Sequence, residues 1–331
     1  MSLRGAKRRG NPKRKQRLLL RRLADRNDKK FMAKYVPDVG TKRWVVIAPL
    51  RNFRPGAEVP QGKPVCPFCE GNEAETPPEV YRIGGGEKDK PGWQVRVVPN
   101  KYAITDIHEV IIHSPDHEKD IEALPLEHVT RILTSYRDRY RAHEADGQVM
   151  IFCNHGLHAG ASLDHPHSQL VVVPTQINLD TLSREATANV VEDNNHFITY
   201  CPDFSQWPLE VWIAPKQQGA KFGDTTDGEL PDLADVLVRA LQKIEALAHL
   251  PDAPHLPASP SLGGPNTPFV YNYYIYHGAD WYLRIIPRLI HRAGFELGTG
   301  LNVNVMDPAD AARALKEQHE QHKLLSNCLS K

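Results

Sequence analysis

Nowhere in its 331 residues does this chain carry an apolar run long enough to cross a bilayer, although 40% of it is hydrophobic. Leu18-Leu19-Leu20 is too short, and too closely hemmed by arginines, to form the apolar core of a signal peptide. The expected compartment is therefore the cytoplasm. Cysteine is scarce as well. Five in a chain of this length, an odd count, exclude a disulfide scaffold and point to thiols or metal ligands. Nor is there a net charge to speak of, only +1, but that balance hides an asymmetry. Residues 1–30 hold thirteen Lys/Arg against Asp25 and Asp28, a local charge of +11, and the remaining 28 basic and 38 acidic residues carry −10. A basic arm of this kind can bind nucleic acid or an acidic surface. The reading preferred for residues 1–33 is a disordered, solvated tail, so nucleic acid is not an expected partner. A nucleotide- or nucleic-acid-binding protein without turnover, the non-enzyme alternative, would rest on that tail.

What the sequence does have is concentrated in His165-Pro166-His167-Ser168-Gln169. This stretch follows Asn154-His155-Gly156 and Gly160-Ala161-Ser162, and it opens the strand-forming run Leu170-Val171-Val172-Val173. Side chains alternate along an extended strand, so His165, His167 and Gln169 project to one side. The small residues just upstream let main-chain N–H groups approach an anion closely. A neutral imidazole can attack phosphorus, and a neighbouring amide can hydrogen-bond a phosphoryl oxygen without carrying charge. The competing reading, two solvated histidines on a strand edge, does not account for the flanking residues.

Asn154 through Gln169 resembles the active-site segment of the galactose-1-phosphate uridylyltransferases, the nucleotidyltransferase branch of the histidine-triad superfamily: an Asn, a small-residue loop with Gly and Ser, then His-Pro-His-x-Gln. The resemblance implies that His167 attacks the α-phosphorus of a nucleotide sugar and holds the nucleoside monophosphate covalently. Gln169 then stands where the hydrolytic histidine-triad proteins have a third histidine. On that reading UMP passes from UDP-glucose to galactose-1-phosphate by a ping-pong route, in a homodimer. The alternative in the same superfamily is an ADP-sugar phosphorylase, with AMP on His167 and phosphate as acceptor.

The periodicity predicts strands at Trp44–Ile47, Gln94–Val98, His108–His113 and Gln148–Phe152, with an amphipathic helix across 125–145. A polar connection follows, expected to be helical around Leu182–Val191. Strands at Phe197–Tyr200, Glu210–Ile213, Phe269–Tyr276 and Tyr282–Pro287, with a helix over Glu229–Ala248, repeat the same order. The chain thus reads as α+β, two histidine-triad-like halves with antiparallel sheet and helices packed on one face. The expected divisions are 34–178, carrying the active site and metal, and 179–331, where Arg284 and Ile286 replace the His-x-His.

Cys66-Pro67-Phe68-Cys69 is half of a zinc site. Gly62, Pro64, Gly71 and Asn72 surround it, which favours a loop knuckle over a redox dithiol. The resemblance implies that His165 and His117 complete it as one structural zinc, with His113 the rival for His117. No second metal site is expected, and Cys153, Cys201 and Cys328 are read as thiols. By the same resemblance Arg51, Arg54 and Asn100 reach the nucleotide, and Asn154, Gly160, Ala161 and Ser162 form the phosphate loop. Phe295 and Glu296, in Gly294-Phe295-Glu296-Leu297-Gly298-Thr299-Gly300, grip the sugar; a plain turn is the competing reading of those glycines. That segment's form is nearer to bacterial uridylyltransferase-like proteins and the plant ADP-glucose phosphorylase than to the well-known uridylyltransferases.

Overall fold

In the computed structural model the described residues are 33–53 apart from 39, 41 and 42, then 65–249 apart from 180, 185 and 186, and finally 269–329. Arg54, the basic segment 1–32 and the proline-rich stretch 251–268 lie outside them. None of the described helices is long and apolar enough to cross a membrane.

A short two-stranded sheet pairs β1 (Lys34–Pro37) with β2 (Trp44–Ile47). The rest is built on one ten-stranded antiparallel sheet. Its strands are β3 (Tyr81–Gly84), β4 (Trp93–Pro99), β5 (His108–Ile112), β6 (Gln148–His155), β7 (His167–Val173), β8 (Val190–Asp193), β9 (Phe197–Tyr200), β10 (Val211–Pro215), β11 (Tyr271–Ile275) and β12 (Leu283–Pro287). The order across the sheet is β3-β4-β5-β7-β6-β11-β12-β10-β9-β8. Each half therefore runs through its strands in the same sequence, and the halves join where β6 pairs with β11. The sheet is continuous across that seam.

Helix α1 (Leu126–His143) links β5 to β6, and α2 (Leu230–Ala248) links β10 to β11 at the corresponding point of the second half. Both lie where the helical spacing predicts. Val129, Ile132, Leu133, Tyr136 and Tyr140 of α1, with Leu233, Leu237, Leu241 and Ile244 of α2, enter one hydrophobic core together with Ile111, Ile151, Leu170, Tyr273 and Ile285 of the sheet. Burying each large aliphatic side chain contributes about 1.5–3 kcal/mol, and here both halves supply them to a common core. Pro231 sits in the first turn of α2, where its missing N–H costs no helical bond. Within this core lies a polar cluster: Tyr136 Oη lies 2.7 Å from Tyr273 Oη and 3.0 Å from His113 Nε2, and Ser168 Oγ is 2.8 Å from the same His113 nitrogen, whereas His113 Nδ1 has no partner among the described residues.

The segment expected to be helical around Leu182–Val191 is not. Its described residues run without helix into β8, with Val191 buried and Val190 exposed. Asn189 adopts a left-handed φ of 51° and donates its side-chain amide to Cys201 O and Asp203 Oδ1. The β-branched pair alternates across a strand edge, which overrides the weak helical pattern before it. The glycines of 294–300 belong to a short helix, α3 (Gly294–Thr299), closed by Gly300 at φ 75°. Helix α4 (Pro308–Leu329) ends the described chain.

Candidate active site

Helices cover one face of the sheet, and the other face carries the histidine pair. The register sets Ile112 opposite His167, Val110 opposite Gln169, and Phe152 opposite Gln169 on the other side. His167 and Gln169 therefore project away from the helices, whereas Ser168 and Leu170 point into the core. Phe68, Trp93, Val98, Val110 and Ile112 form a small apolar layer on the open face. Phe68 meets the His167 ring edge-on at 5.2 Å between centroids, so the Cys-x-x-Cys turn packs directly against the histidine.

His167 is 8% exposed. Its Nδ1 lies 2.8 Å from the carbonyl oxygen of His165. A carbonyl only accepts, so Nδ1 carries the proton and donates, which leaves the Nε2 lone pair free. Burial also lowers the tendency of this ring to take a second proton. The result is an oriented neutral imidazole, the form able to act as a nucleophile.

His165 uses its nitrogens the other way round. Its Nε2 donates to Ser114 O at 2.8 Å, and its Nδ1 lies 3.7 Å from both Cys66 Sγ and Cys69 Sγ. Cys69 Sγ is in turn 3.2 Å from His117 Nδ1. The four ligand atoms all lie within 4.8 Å of one another. A tetrahedron with zinc–sulfur bonds of about 2.3 Å and zinc–nitrogen bonds of about 2.0–2.1 Å has edges of roughly 3.3–3.8 Å. The donor set and spacings fit such an ion, and the His165–Ser114 bond is the outer hydrogen bond that ligating imidazoles commonly have. Without a metal, burial and the neighbouring Cys66 push the Cys69 thiol up to about 11, so metal binding would release protons. His113, the rival ligand, turns to the opposite face and bonds Tyr136 and Ser168.

Asn154, Gly156, Ala161 and His167 line one small cavity. Gly156 has φ 82°, and a Cβ there would come within 3.0 Å of Val270, so the loop's entry requires glycine. Asn272, on β11, donates from Nδ2 to Asn154 Oδ1 at 2.8 Å and to Ala159 O at 2.9 Å. Gly160, at φ 89°, follows the same turn, and Ser162 comes after it, half-buried. Asn100 caps its own turn by accepting from Tyr102 N at 2.7 Å, and Arg51 reaches Tyr102 O at 3.3 Å. Phe295 and Glu296 are not brought to this cavity: Phe295 is 55% exposed, and Glu296 accepts from the backbone of Ala293 in its own helix.

Several cavity residues carry no motif in the sequence. His155 Nε2 lies 3.3 Å from Asp120 Oδ2, and Tyr271 Oη donates to Glu122 Oε2 at 3.2 Å. Burial drives all these groups toward neutrality: His155 falls to about 4, Asp120 rises to about 6 and Glu122 to about 7. The equivalent position in the second half is silent. Arg284 of β12 lies between the core residues Leu283 and Ile285, on the same face of the sheet as His167, and it is locked to Glu210 through two bonds of 2.7 and 2.8 Å. Cys153 and Cys201 are buried thiols.

A family model for galactose-1-phosphate uridyl transferase, N-terminal domain, matches residues 105–174, which hold β5, α1, β6 and the histidine pair. An ADP-glucose phosphorylase of Arabidopsis thaliana is 27% identical over 330 residues, covering 85% of this chain and 91% of that protein. A galactose-1-phosphate uridylyltransferase of Thermotoga maritima is 26% identical over 311 residues, covering 84% and 96%. The crystal structure of the Arabidopsis phosphorylase with bound ADP-glucose superposes with a TM-score of 0.62 at 26% identity, over 86% of this chain and 98% of that one. Motif and likeness along most of the chain agree, and together they support assignment of the chain to the galactose-1-phosphate uridylyltransferase family.

Proposed function

We propose that this chain transfers a nucleoside monophosphate from a nucleotide sugar to an anionic acceptor through a covalent bond to His167. The observation that carries this is the His167 Nδ1 bond to its own neighbour's carbonyl at 2.8 Å, which leaves Nε2 as the free nucleophilic nitrogen. In the first step Nε2 forms a bond to the α-phosphorus, and the bond from that phosphorus to the sugar-phosphate oxygen breaks. The sugar-1-phosphate leaves with the electron pair. In the second step the acceptor oxygen attacks the same phosphorus, and the imidazole is expelled as a neutral ring. Gln169 donates an amide hydrogen to a phosphoryl oxygen in both steps, and Asn154, Gly160, Ala161 and Ser162 cradle the phosphates. Asn100, Arg51 and Arg54 are assigned to the nucleotide. Zinc held by Cys66, Cys69, His117 and His165 would supply a structural cross-link that fixes the backbone presenting His167. We place the division between the halves at 178/179 and infer a homodimer.

Two donors fit this scheme. Transfer of UMP from UDP-glucose to galactose-1-phosphate is supported by the Thermotoga relative. Phosphorolysis of ADP-glucose is supported by the Arabidopsis relative and its ADP-glucose complex. The Gly294–Gly300 segment favours the phosphorylase, and we put that reading first. The deciding experiment incubates the protein separately with nucleotide-labelled ADP-glucose and UDP-glucose, maps the label, and chases it with phosphate or galactose-1-phosphate. Label on His167 released by phosphate as ADP is the expected result, with parallel lines in double-reciprocal plots. Label from UDP-glucose released by galactose-1-phosphate moves the assignment to the uridylyltransferase. Absence of label from either donor, with intersecting lines, overturns the covalent mechanism.

A further inference from the structure

An amide can turn either its oxygen or its NH2 toward a ligand, and only the NH2 end can help a phosphoryl oxygen. What settles the choice for Gln169 lies on the next strand. His108 is 4% exposed at the start of β5, two residues before Val110, the partner of Gln169. The backbone N–H of Ile104 is 3.0 Å from His108 Nδ1, and His108 Nε2 is 2.9 Å from Gln169 Oε1. A backbone N–H can only donate, so Nδ1 must be the bare, accepting nitrogen. In a neutral ring the proton is then on Nε2, which donates to the Gln169 oxygen. That leaves the Gln169 NH2 pointing outward, and no hydrogen bond from it is found among the described residues.

The opposite tautomer fits worse. Asn100 Nδ2, 3.2 Å from His108 Nε2, opposes a proton there and would donate to a bare nitrogen, but a bare Nε2 would also face the closer Gln169 oxygen at 2.9 Å. The proton would then sit on Nδ1, head-on to the Ile104 N–H at 3.0 Å, and two donors would face each other in a buried place. The ring has little freedom to escape. Asn100 N donates to His108 O at 2.8 Å, and Thr105 Oγ1 to Ile107 O at 2.6 Å, so the loop that carries Ile104 is tied to the strand at both ends. Burial, with the Arg51 charge adding, also holds His108 down at about 4, so the ring keeps a single proton.

We propose that His108 is a positioning residue that fixes the Gln169 amide with its NH2 toward the phosphoryl group attached to His167. A flipped amide would present its oxygen to the phosphoryl oxygens and repel them. This inference rests on the nucleotidyl-transfer reading for its consequence, although the tautomer itself does not depend on it.

The test compares wild type with His108→Phe, His108→Gln, Gln169→Ala and the double variant His108→Phe/Gln169→Ala. It uses whichever of ADP-glucose or UDP-glucose labels the wild-type protein. His108→Phe keeps the ring volume but has no N–H. It should lower kcat about 10–100-fold, short of the 10²–10³-fold typical of deleting an oxyanion donor outright, with KM changed by less than about twofold. His108→Gln, which restores an N–H near the Nε2 position, should recover most of that loss. Added to Gln169→Ala, the His108→Phe change should cost less than about twofold. An equal loss in both backgrounds, or no loss in the wild-type background, overturns the proposal. Nitrogen-15 spectra of the unmodified protein, with His108 assigned by its absence in His108→Gln, should show a protonated Nε2 and a bare Nδ1. The reverse tautomer also overturns it, whatever the activities of the variants. If neither donor labels the wild type, the proposed function fails while the spectrum still decides the tautomer.

Discussion

The protonated nitrogen of His167 is occupied by the carbonyl of His165, two residues back, and this leaves its Nε2 bare. Replacing His167 with Ala removes the proposed nucleophile, and transfer should fall on the order of 10³-fold or more, measured as release of sugar-1-phosphate. His167→Gly should regain activity when a nucleotide imidazolide replaces the natural donor, because the missing ring then arrives with the phosphorus. A different residue-scale expectation concerns Glu122. Burial raises its carboxyl from 4.5 to about 7, so between those values the folded chain holds a proton that the unfolded chain has lost. Stability from this group is therefore lost as pH climbs through that window. Glu122→Gln should flatten the loss, gaining up to about 3 kcal/mol at pH 8 relative to pH 4.5. Melting of both proteins at the two pH values checks it, and equal differences at both would refute it. His165, His167, Gln169 and the two cysteines are legible in the sequence because their chemistry sits in short, contiguous motifs. His108, Asp120, His155 and Asn272 are not, because each acquires its role from a residue distant in sequence that only the fold brings beside it.

At the scale of elements, the two long helices announce themselves by period, since one side of each must meet the sheet. The segment before β8 does not, because its outcome is decided by where an edge strand can pair. The knuckle is an element too. Elemental analysis should find about one zinc per chain. Cys66→Ser with Cys69→Ser should remove it, lower the melting temperature and slow labelling of His167 together. Retained zinc in that variant, or about two metals per chain, would contradict the assignment. The Glu210–Arg284 pair is the matching test in the silent half. Glu210→Gln leaves a buried guanidinium without its counter-charge and should cost about 3–5 kcal/mol in denaturant unfolding. The labelling rate of the folded fraction should stay unchanged.

For the whole molecule, the repeated strand order is what the sequence conveyed most directly, as two runs of strand, helix and strand. That the runs fuse into one sheet was not visible, since nothing local in β6 or β11 says that they pair. The pairing has a consequence for what mutation can reach. A chain cut after residue 178 would uncover the border of β6 that β11 pairs, Ile151 to His155, an unprotected edge inviting association with other chains. It would also lose the Asn272 amide that anchors Asn154 and the turn at Ala159. The second half is thus free to surrender its own chemistry, as Arg284 attests, but not its border strand.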